Sequence, residues 1–340
     1  MRVAIVGATG AVGQEFLSLL EVRHFPMTEL RLYASARSTG KSYQVLGKTY
    51  TVMTIPEDGN LKADVAFISA GGSISKAEAW KWAQHGTVII DNSSAWRMDE
   101  RVPLVIPEVN GDDALKHQGV IANPNCSTII ALMALAPLHR AFGLTRATVA
   151  TYQAVSGAGA TGIDELLEQS KAVLADKPIQ KNKFKHQIAF NIFSHDSDVG
   201  EDGYNIEERK LVLESRKMLH DDSLRFSATC VRVPVIRAHS EAIHAEFKRP
   251  VEAKEAKEVL NHAEGVTIID EPKENTFPMP ITASGQDDVF VGRIRNDSSK
   301  PGAIAFFVSG DQIRKGAALN AVQIAEYLIR QGALKAVVTA

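Results

Sequence analysis

The chain has 340 residues, 45% of them apolar, and a protein of this length is usually built around more than one hydrophobic core. Its formal net charge is −2, with acidic and basic residues spread along the sequence, so we expect neither a nucleic acid nor a membrane as partner. Its two cysteines, Cys126 and Cys230, are too few for a disulfide framework or a thiolate metal cluster. Composition therefore predicts a cytoplasmic protein with a small-molecule ligand.

The first half of the chain alternates short apolar runs with helix-like segments. Residues 2–6 predict a strand, a glycine-rich turn follows, and residues 14–22 have the apolar spacing of a helix. Later runs that predict strands are residues 30–33, 65–69, 88–91 and 104–106. This alternation is typical of a parallel, doubly wound α/β sheet.

From about Thr145 the pattern changes to longer extended runs interrupted by helices. The extended runs are residues 147–155, 225–236, 242–247 and 303–309, and the helices are around residues 163–174 and 207–219. A last helix over residues 317–330 has apolar spacing that suits packing back on the first domain. The sequence thus predicts an α/β protein in which residues 1–124 with 315–340 form a Rossmann-type domain and residues 125–314 form an α+β domain.

The turn after the first predicted strand is a candidate dinucleotide site. Small residues there allow backbone amides and a helix N-terminus to approach a pyrophosphate. The residues expected to contact the cofactor are Gly7, Thr9, Gly10, Ala11, Val12 and Gly13. The spacing is GxxGxxG and not GxGxxG, so an ordinary tight turn remains the alternative.

The segment after the second predicted strand indicates which dinucleotide is bound. An NAD enzyme usually places an acidic residue there for the ribose hydroxyls, whereas this chain has Ser35, Arg37 and Ser38. A guanidinium flanked by hydroxyls favours the 2′-phosphate of NADP. The alternative is a solvated surface arginine.

Cys126 is the candidate nucleophile. It lies in the segment NPNCST, directly before the apolar run 129–135, and so near the start of a predicted helix. Helix-end amides stabilise a thiolate and can also hold an oxyanion that forms on an attacked carbonyl. The alternative, a buried structural cysteine, fits Cys230 better.

Five motifs, in this order, resemble those of aspartate-semialdehyde dehydrogenases over nearly the whole chain. They are GATGAVG at 7–13, SSAWR at 93–97, NPNCST at 123–128, QAVSGAG at 153–159 and RVPVIRAHSE at 232–241. The resemblance implies an NADP-dependent homodimer whose second domain is catalytic and dimerises. It also implies reversible reductive dephosphorylation of L-aspartyl-4-phosphate to L-aspartate 4-semialdehyde through a cysteine thioester, in the biosynthesis of lysine by way of diaminopimelate, of threonine and of methionine.

The resemblance also assigns roles by motif match. Cys126 is the nucleophile, His239 the base, and Gln153 orients the acyl group. The expected substrate contacts are Arg232 to the carboxylate, Arg97 and Lys210 to phosphate, Glu207 to the ammonium, and Asn125. The adjacent Glu208 leaves the choice of Glu207 open. Ser156, Gly157 and Gln312 are expected beside the nicotinamide, although each also suits an ordinary turn.

Two rival functions remain open at this level. An N-acetyl-γ-glutamyl-phosphate reductase shares the cofactor fold, Cys and His, but its acetylated substrate offers no positive charge for Glu207. A non-catalytic paralogue that binds NADP is the other rival, and the presence of both Cys126 and His239 argues against it. His195, Asp196 and Asp198 form only a weak metal-like cluster, so we predict no metal.

Overall fold

The computed structural model describes residues 1–334. The chain divides into two compact units, one formed by Met1–Asn125 together with the chain from Ala317 onward, and one formed by Cys126–Gly316. Among the described residues, no helix is long and apolar enough to cross a membrane.

The first unit contains a seven-stranded sheet. Its strands are β1 (Arg2–Val6), β2 (Glu29–Tyr33), β3 (Ser42–Val45), β4 (Lys48–Met53), β5 (Val65–Ile68), β6 (Val88–Asp91) and β7 (Val120–Ala122). They lie in the order β3-β4-β2-β1-β5-β6-β7, and all neighbours from β4 to β7 run parallel. The order reverses between β1 and β5, the place where open α/β sheets bind ligands.

The helices of the first unit cover this sheet with apolar faces. They are α1 (Ala11–Val22), α2 (Gly72–Gln84), α3 (Pro107–Asn110) and, near the end of the chain, α9 (Leu319–Arg330). Phe16 and Leu20 of α1 and Val322 and Leu328 of α9 are fully buried in one core with strand residues such as Ile5. The last helix therefore completes the core of the first unit.

One predicted strand is wrong. Residues 104–106 form only an isolated bridge, between Leu104 and Ala122, and α3 begins at Pro107. Pro103 and Pro107 flank the run, and proline cannot donate a ladder hydrogen bond. The strand beside β6 is instead the three-residue β7, which is too short to be recognised from its sequence.

The second unit contains a mixed sheet in the order β12-β13-β14-β11-β8-β10-β9. Its strands are β8 (Leu144–Gln153), β9 (Phe193–Ser194), β10 (Arg225–Arg232), β11 (His239–Phe247), β12 (Val266–Ile268), β13 (Val289–Asn296) and β14 (Ile304–Gly310). Its helices are α4 (Cys126–Phe142), α5 (Ala160–Leu174), α6 (Ile206–Leu219), α7 (Ala253–Asn261) and α8 (Pro280–Ala283). The apolar helix α4 packs against β8, β11 and β14, so one face of the sheet is covered.

Candidate active site

The turn between β1 and α1 has the geometry of a phosphate cradle. Gly7 has a φ of +91°, and a Cβ added there would lie 2.3 Å from the carbonyl oxygen of Ser69, which follows β5. A Cβ on Gly13 would lie 2.3 Å from the carbonyl oxygen of Gly7. Only glycine fits either position, and α1 begins at Ala11 with its N-terminal amides directed at the turn. The cradle lies where the strand order reverses, so these residues suit a dinucleotide's pyrophosphate.

The loop after β2 lies beside this cradle. Ser38 Oγ is 3.4 Å from Thr9 Oγ1, which brings the two predicted cofactor segments together. Ser35 and Arg37 are exposed on the same loop. An exposed cation at this place is available to an anionic group of a bound nucleotide.

The SSAWR motif is held by a buried carboxylate. Asp91, at the end of β6, accepts hydrogen bonds from the Ser93 hydroxyl at 2.7 Å and from the Ser75 hydroxyl at 2.6 Å. Arg97, at the end of the motif, is buried, and its Nε and Nη2 donate to the carbonyl oxygens of Asn123 and Asn92, both at 2.9 Å. Asn125, also buried, ends the first unit.

In the second unit, sheet topology brings three predicted residues to one edge. Strand β8 runs parallel to β10 and antiparallel to β11, so the ends of β8 and β10 lie at the same edge of the sheet as the start of β11. Gln153 ends β8, Arg232 ends β10 as its register partner, and His239 begins β11. We refer to this edge as the catalytic edge.

The nucleophile lies at the same edge. Helix α4 begins at Cys126, as the sequence predicts, and Gln153 Nε2 donates to the Oγ of the next residue, Ser127, at 2.6 Å. Gln153 Nε2 also lies 3.2 Å from Glu207 Oε1, and Lys210 Nζ donates to Glu207 Oε2 at 3.0 Å. A single amide therefore connects the start of the nucleophile's helix with the acidic and basic residues of α6.

The two adjacent glutamates of α6 have different partners. Glu208 forms a capping box with Asn205 and also accepts the Cys230 backbone N–H at 3.0 Å. Glu207, although also buried, contacts Gln153 and Lys210. Glu208 is thus held by contacts that stabilise the fold, and Glu207 is the one at the catalytic edge.

His239 is buried and its ring has a fixed orientation. The Ala154 backbone N–H donates to His239 Nδ1 at 3.0 Å, so the neutral ring carries its hydrogen on Nε2. Burial, followed by the nearby Arg232 cation, lowers the pKa of His239 to about 3. His239 Nε2 lies beside Gly157, and a Cβ added to Gly157 would be 3.2 Å from this nitrogen. His239 is therefore a neutral hydrogen-bond donor at neutral pH.

Gln312 connects two of the other predicted segments. Its Oε1 accepts the Ala238 backbone N–H at 2.8 Å, and its Nε2 donates to Ser156 Oγ. Ala238 has a φ of +73°, a strained conformation for a residue with a Cβ. Gln312 thus holds the backbone directly before His239 and also orients Ser156, a role that the sequence did not reveal.

Arg232 has partners that the sequence analysis did not connect with it. Its Nη1 donates to the Ala154 carbonyl oxygen at 3.1 Å, and its Nη2 lies 2.9 Å from His195 Nε2 and 3.3 Å from Asp196 Oδ1. Its guanidinium carbon is 5.6 Å from the centre of the Phe184 ring. The sequence indicates His195 and Asp196 only as part of a weak metal-like cluster. Their contact with Arg232 cannot be predicted from it, because no spacing rule relates residue 195 to residue 232.

Comparison with known proteins identifies the family of this chain. A family model described as the semialdehyde dehydrogenase NAD-binding domain matches residues 2–117, and the semialdehyde dehydrogenase dimerisation domain matches residues 135–315. The aspartate-semialdehyde dehydrogenase of Aquifex aeolicus is 53% identical over 335 residues, which cover 97% of this chain and 98% of that protein. The chain belongs to the aspartate-semialdehyde dehydrogenase family.

Solved structures of aspartate-semialdehyde dehydrogenases share the fold. Enzyme II of Vibrio cholerae, complexed with ASA, superposes with a TM-score of 0.94 at 45% identity, covering 97% of this chain and 98% of that one. The Candida albicans enzyme with NADP gives a TM-score of 0.77 at 25% identity, covering 98% and 99%. These matches confirm the predicted α/β fold, with a Rossmann-type dinucleotide-binding domain and an α+β second domain. The protein is an oxidoreductase of amino-acid biosynthesis.

The structure brings the predicted site residues of the second unit into one group. The second unit brings together Cys126, Gln153, Ser156, Gly157, Glu207, Lys210, Arg232, His239 and Gln312 through the contacts described above. The first unit carries Arg97, Asn125, the glycine turn and the loop with Arg37. Among residues 1–334 no group of three or more His, Cys, Asp or Glu side chains is arranged to hold a metal ion.

Proposed function

We propose that the catalytic edge of this aspartate-semialdehyde dehydrogenase carries out reversible, NADP-dependent reduction of L-aspartyl-4-phosphate to L-aspartate 4-semialdehyde. One observation carries the proposal: Gln153 joins the start of the Cys126 helix to Glu207 and Lys210, on the edge that also holds Arg232 and His239. A nucleophile, an oxyanion donor and charges of both signs thus lie together.

Each substrate group has a partner of opposite charge. Arg232 is 4% exposed, and its Nε has no hydrogen-bond partner among the described residues, so this nitrogen can donate to an oxygen of the substrate carboxylate. Glu207 receives the substrate ammonium, and Lys210, 28% exposed, receives the leaving phosphate. Arg97, assigned to phosphate by its motif, is buried in the first unit. Asn125 completes the substrate contacts. An acetylated amine has no charge for Glu207, which favours aspartyl phosphate over N-acetyl-glutamyl phosphate.

The chemistry begins at Cys126. Its thiolate attacks the acyl-phosphate carbonyl carbon, the carbon–oxygen bond to phosphate breaks, and a thioester forms. Gln153 orients the acyl group. Amides at the start of α4 and the His239 Nε2–H stabilise the oxyanion of each tetrahedral intermediate.

A neutral His239 is sufficient for these steps. Reduction of the thioester gives a tetrahedral oxyanion, and its collapse to the aldehyde expels the thiolate, so no proton has to be added to the carbonyl oxygen. The proton consumed overall goes to the released phosphate. We therefore assign His239 as an oxyanion donor, a role that replaces the one of base implied by its motif.

The first unit binds the dinucleotide and the second unit catalyses. Gly7 and Gly13 allow the tight turn that receives the pyrophosphate, and Arg37 with Ser35 and Ser38 receives the 2′-phosphate that distinguishes NADP. When bound, the reduced cofactor supplies the hydride. Ser156, Gly157 and Gln312 of the second unit are the residues that we assign to the nicotinamide, and the Gln312 amide orients the Ser156 hydroxyl.

The enzyme functions as a homodimer in the cytoplasm. The face of the second sheet opposite α4 carries Tyr152, 39% exposed, with its ring centre 6.2 Å from that of Phe307. A second copy that covers this face would bury an apolar surface, within the region matched by the dimerisation-domain model. Both cysteines are free thiols, which suits a reducing compartment.

An assay of the oxidative direction tests the function. Intact protein with aspartate semialdehyde, phosphate and NADP should produce reduced cofactor, followed by its absorbance, and NAD should support a lower rate. Cys126→Ala should lower the rate by about 10⁴-fold or more, as loss of a covalent nucleophile does, whereas Cys230→Ala should retain activity. Turnover of N-acetylglutamate semialdehyde in its place would favour the rival reductase. Cofactor binding without turnover of either aldehyde would favour the non-catalytic paralogue.

A further inference from the structure

The cation assigned to the substrate carboxylate is held by a histidine outside the recognised motifs. His195 follows the two-residue strand β9, which pairs with the end of β10, and this pairing places His195 beside Arg232. His195 Nε2 lies 2.9 Å from Arg232 Nη2. The His195 side chain is only 14% exposed and that of Arg232 only 5%, so the contact is largely shielded from water.

The contact requires a neutral imidazole. Arginine only donates hydrogen bonds, so His195 Nε2 has to accept. The ring hydrogen then lies on Nδ1, which has two neighbours on Ser197, the hydroxyl Oγ at 3.1 Å and the backbone nitrogen at 3.2 Å. Only the hydroxyl can accept the ring hydrogen, so in this tautomer Nδ1 donates to Ser197 Oγ and does not accept the backbone N–H. The same hydroxyl accepts the Glu207 backbone N–H at 3.3 Å. A hydrogen-bonded chain thus runs from Arg232 through His195 and Ser197 to the start of α6, near Glu207.

We propose that His195 is a positioning residue that holds the Arg232 guanidinium in the orientation in which it receives the substrate carboxylate. The proposal rests on the proposed function, in which Arg232 binds that carboxylate. Asp196 Oδ1, 3.3 Å from Arg232 Nη2, is a carboxylate that competes for the same cation. An Arg232 without His195 would pair more closely with Asp196 and be less available to substrate.

Protonation of His195 makes this positioning function depend on pH. Burial is the largest influence and lowers the pKa of His195 below its ordinary value. The charged and titratable groups that face it are Asp196 on its own segment, Arg232 on β10, Glu207 and Lys210 on α6, and His239 on β11. Below its pKa, His195 would present an N–H to the Arg232 cation, and the contact would be lost.

The test measures KM and kcat separately for wild type and for variants of His195. With the intact enzyme, His195→Ala should raise KM for aspartate semialdehyde about tenfold, since the lost contact is a hydrogen bond to a charged group, and should change kcat by less than about threefold. His195→Gln places an amide oxygen near the position of Nε2 and should restore most of the affinity. His262→Ala, which removes an exposed histidine directly after α7, is the control and should leave KM unchanged.

The pH profile gives a second readout. Wild-type KM should rise as pH falls through the pKa of His195, whereas His195→Gln should lack this rise. The comparison remains decisive even if the alanine variant fails to fold. The proposal is overturned if His195→Ala lowers kcat without raising KM, or if wild type and His195→Gln have the same KM profile.

Failure of the positioning function can be told apart from failure of the proposed function. If wild type turns over aspartate semialdehyde and Arg232→Ala raises KM while His195→Ala does not, only the positioning function fails. If wild type does not turn over the aldehyde, the proposed function fails first.

Discussion

The dinucleotide turn and the catalytic edge are built in different ways. At the turn, the backbone sets the geometry: Gly7 packs against the carbonyl oxygen of Ser69 and Gly13 against that of Gly7, so closely that neither position has room for a Cβ. At the catalytic edge, side chains from α4, α6, β8, β10 and β11 meet because strand directions bring their ends together. The first site is contiguous in sequence, and the second is assembled from segments up to about a hundred residues apart.

This difference decides how each site responds to substitution. A backbone site fails when atoms are added, because a Cβ occupies space that a ligand or another strand needs. A side-chain site fails when a charge or hydrogen bond is removed, and neighbours in the fold remain largely in place. Steric and electrostatic substitutions should therefore separate the two regions.

The largest expected effect is at the turn. Gly7→Ala adds a Cβ 2.3 Å from the Ser69 carbonyl oxygen at a φ of +91°, so we expect the free energy of unfolding to fall by about 3 kcal/mol, measured by urea denaturation. NADP binding, measured by calorimetry, should weaken as well. Gly10→Ala is the matched control. Its nearest neighbour would be 3.5 Å away and its φ is −78°, so its stability should change by less than about 1 kcal/mol. Equal destabilisation by both substitutions would contradict the steric account.

The second effect separates the two adjacent glutamates. Glu207→Gln removes the charge assigned to the substrate ammonium, so KM for aspartate semialdehyde should rise by about tenfold to a hundredfold with little loss of stability. Glu208→Gln should leave KM nearly unchanged but lower the unfolding free energy by about 1 kcal/mol, because it weakens the capping box and the contact with Cys230 N–H. Steady-state kinetics and thermal melts of both variants check this. The reversed pattern would assign the ammonium to Glu208.

Sequence alone predicts the local features and misses those set by tertiary contacts. The strand before Gly7 and the helix from Cys126 follow from runs of adjacent residues, and both are confirmed. The role of Gln312 in holding Ala238, and the contact of His195 with Arg232, depend on segments that meet only in the folded sheet. The strand expected at residues 104–106 was wrong because two prolines outweigh its apolar pattern.

A third region lies directly behind the catalytic edge. Two residues further into each strand, the sheet has a second row on the same face. This row consists of Thr151 and its register partners Cys230 and Glu241. Glu241 is fully buried, and neither of its oxygens has a hydrogen-bond partner among the described residues. Burial raises the pKa of Glu241 well above its ordinary value, so the carboxyl is held neutral. This row is polar like the catalytic edge, but within residues 1–334 it forms no ion pair.

The last and, per pH unit, smallest expected effect is on stability at this row, and it has a definite sign. The folded chain keeps a proton on Glu241 at pH values where the unfolded chain has released it, so the stability that this carboxyl contributes is full below its unfolded pKa and declines as pH rises toward its folded pKa. The slope is at most about 1.4 kcal/mol per pH unit. Glu241→Gln cannot ionise and should lose this slope. The melting temperature of the variant minus that of wild type should therefore increase as the pH is raised from weakly acidic to weakly alkaline. Glu246→Gln, on the same strand but paired with Arg146 at 2.8 Å, is the control and should not reproduce the gain. Parallel melting curves for wild type and Glu241→Gln across that range would mean that Glu241 is charged in the folded protein, and the row behind the edge would then have to contain a partner for it.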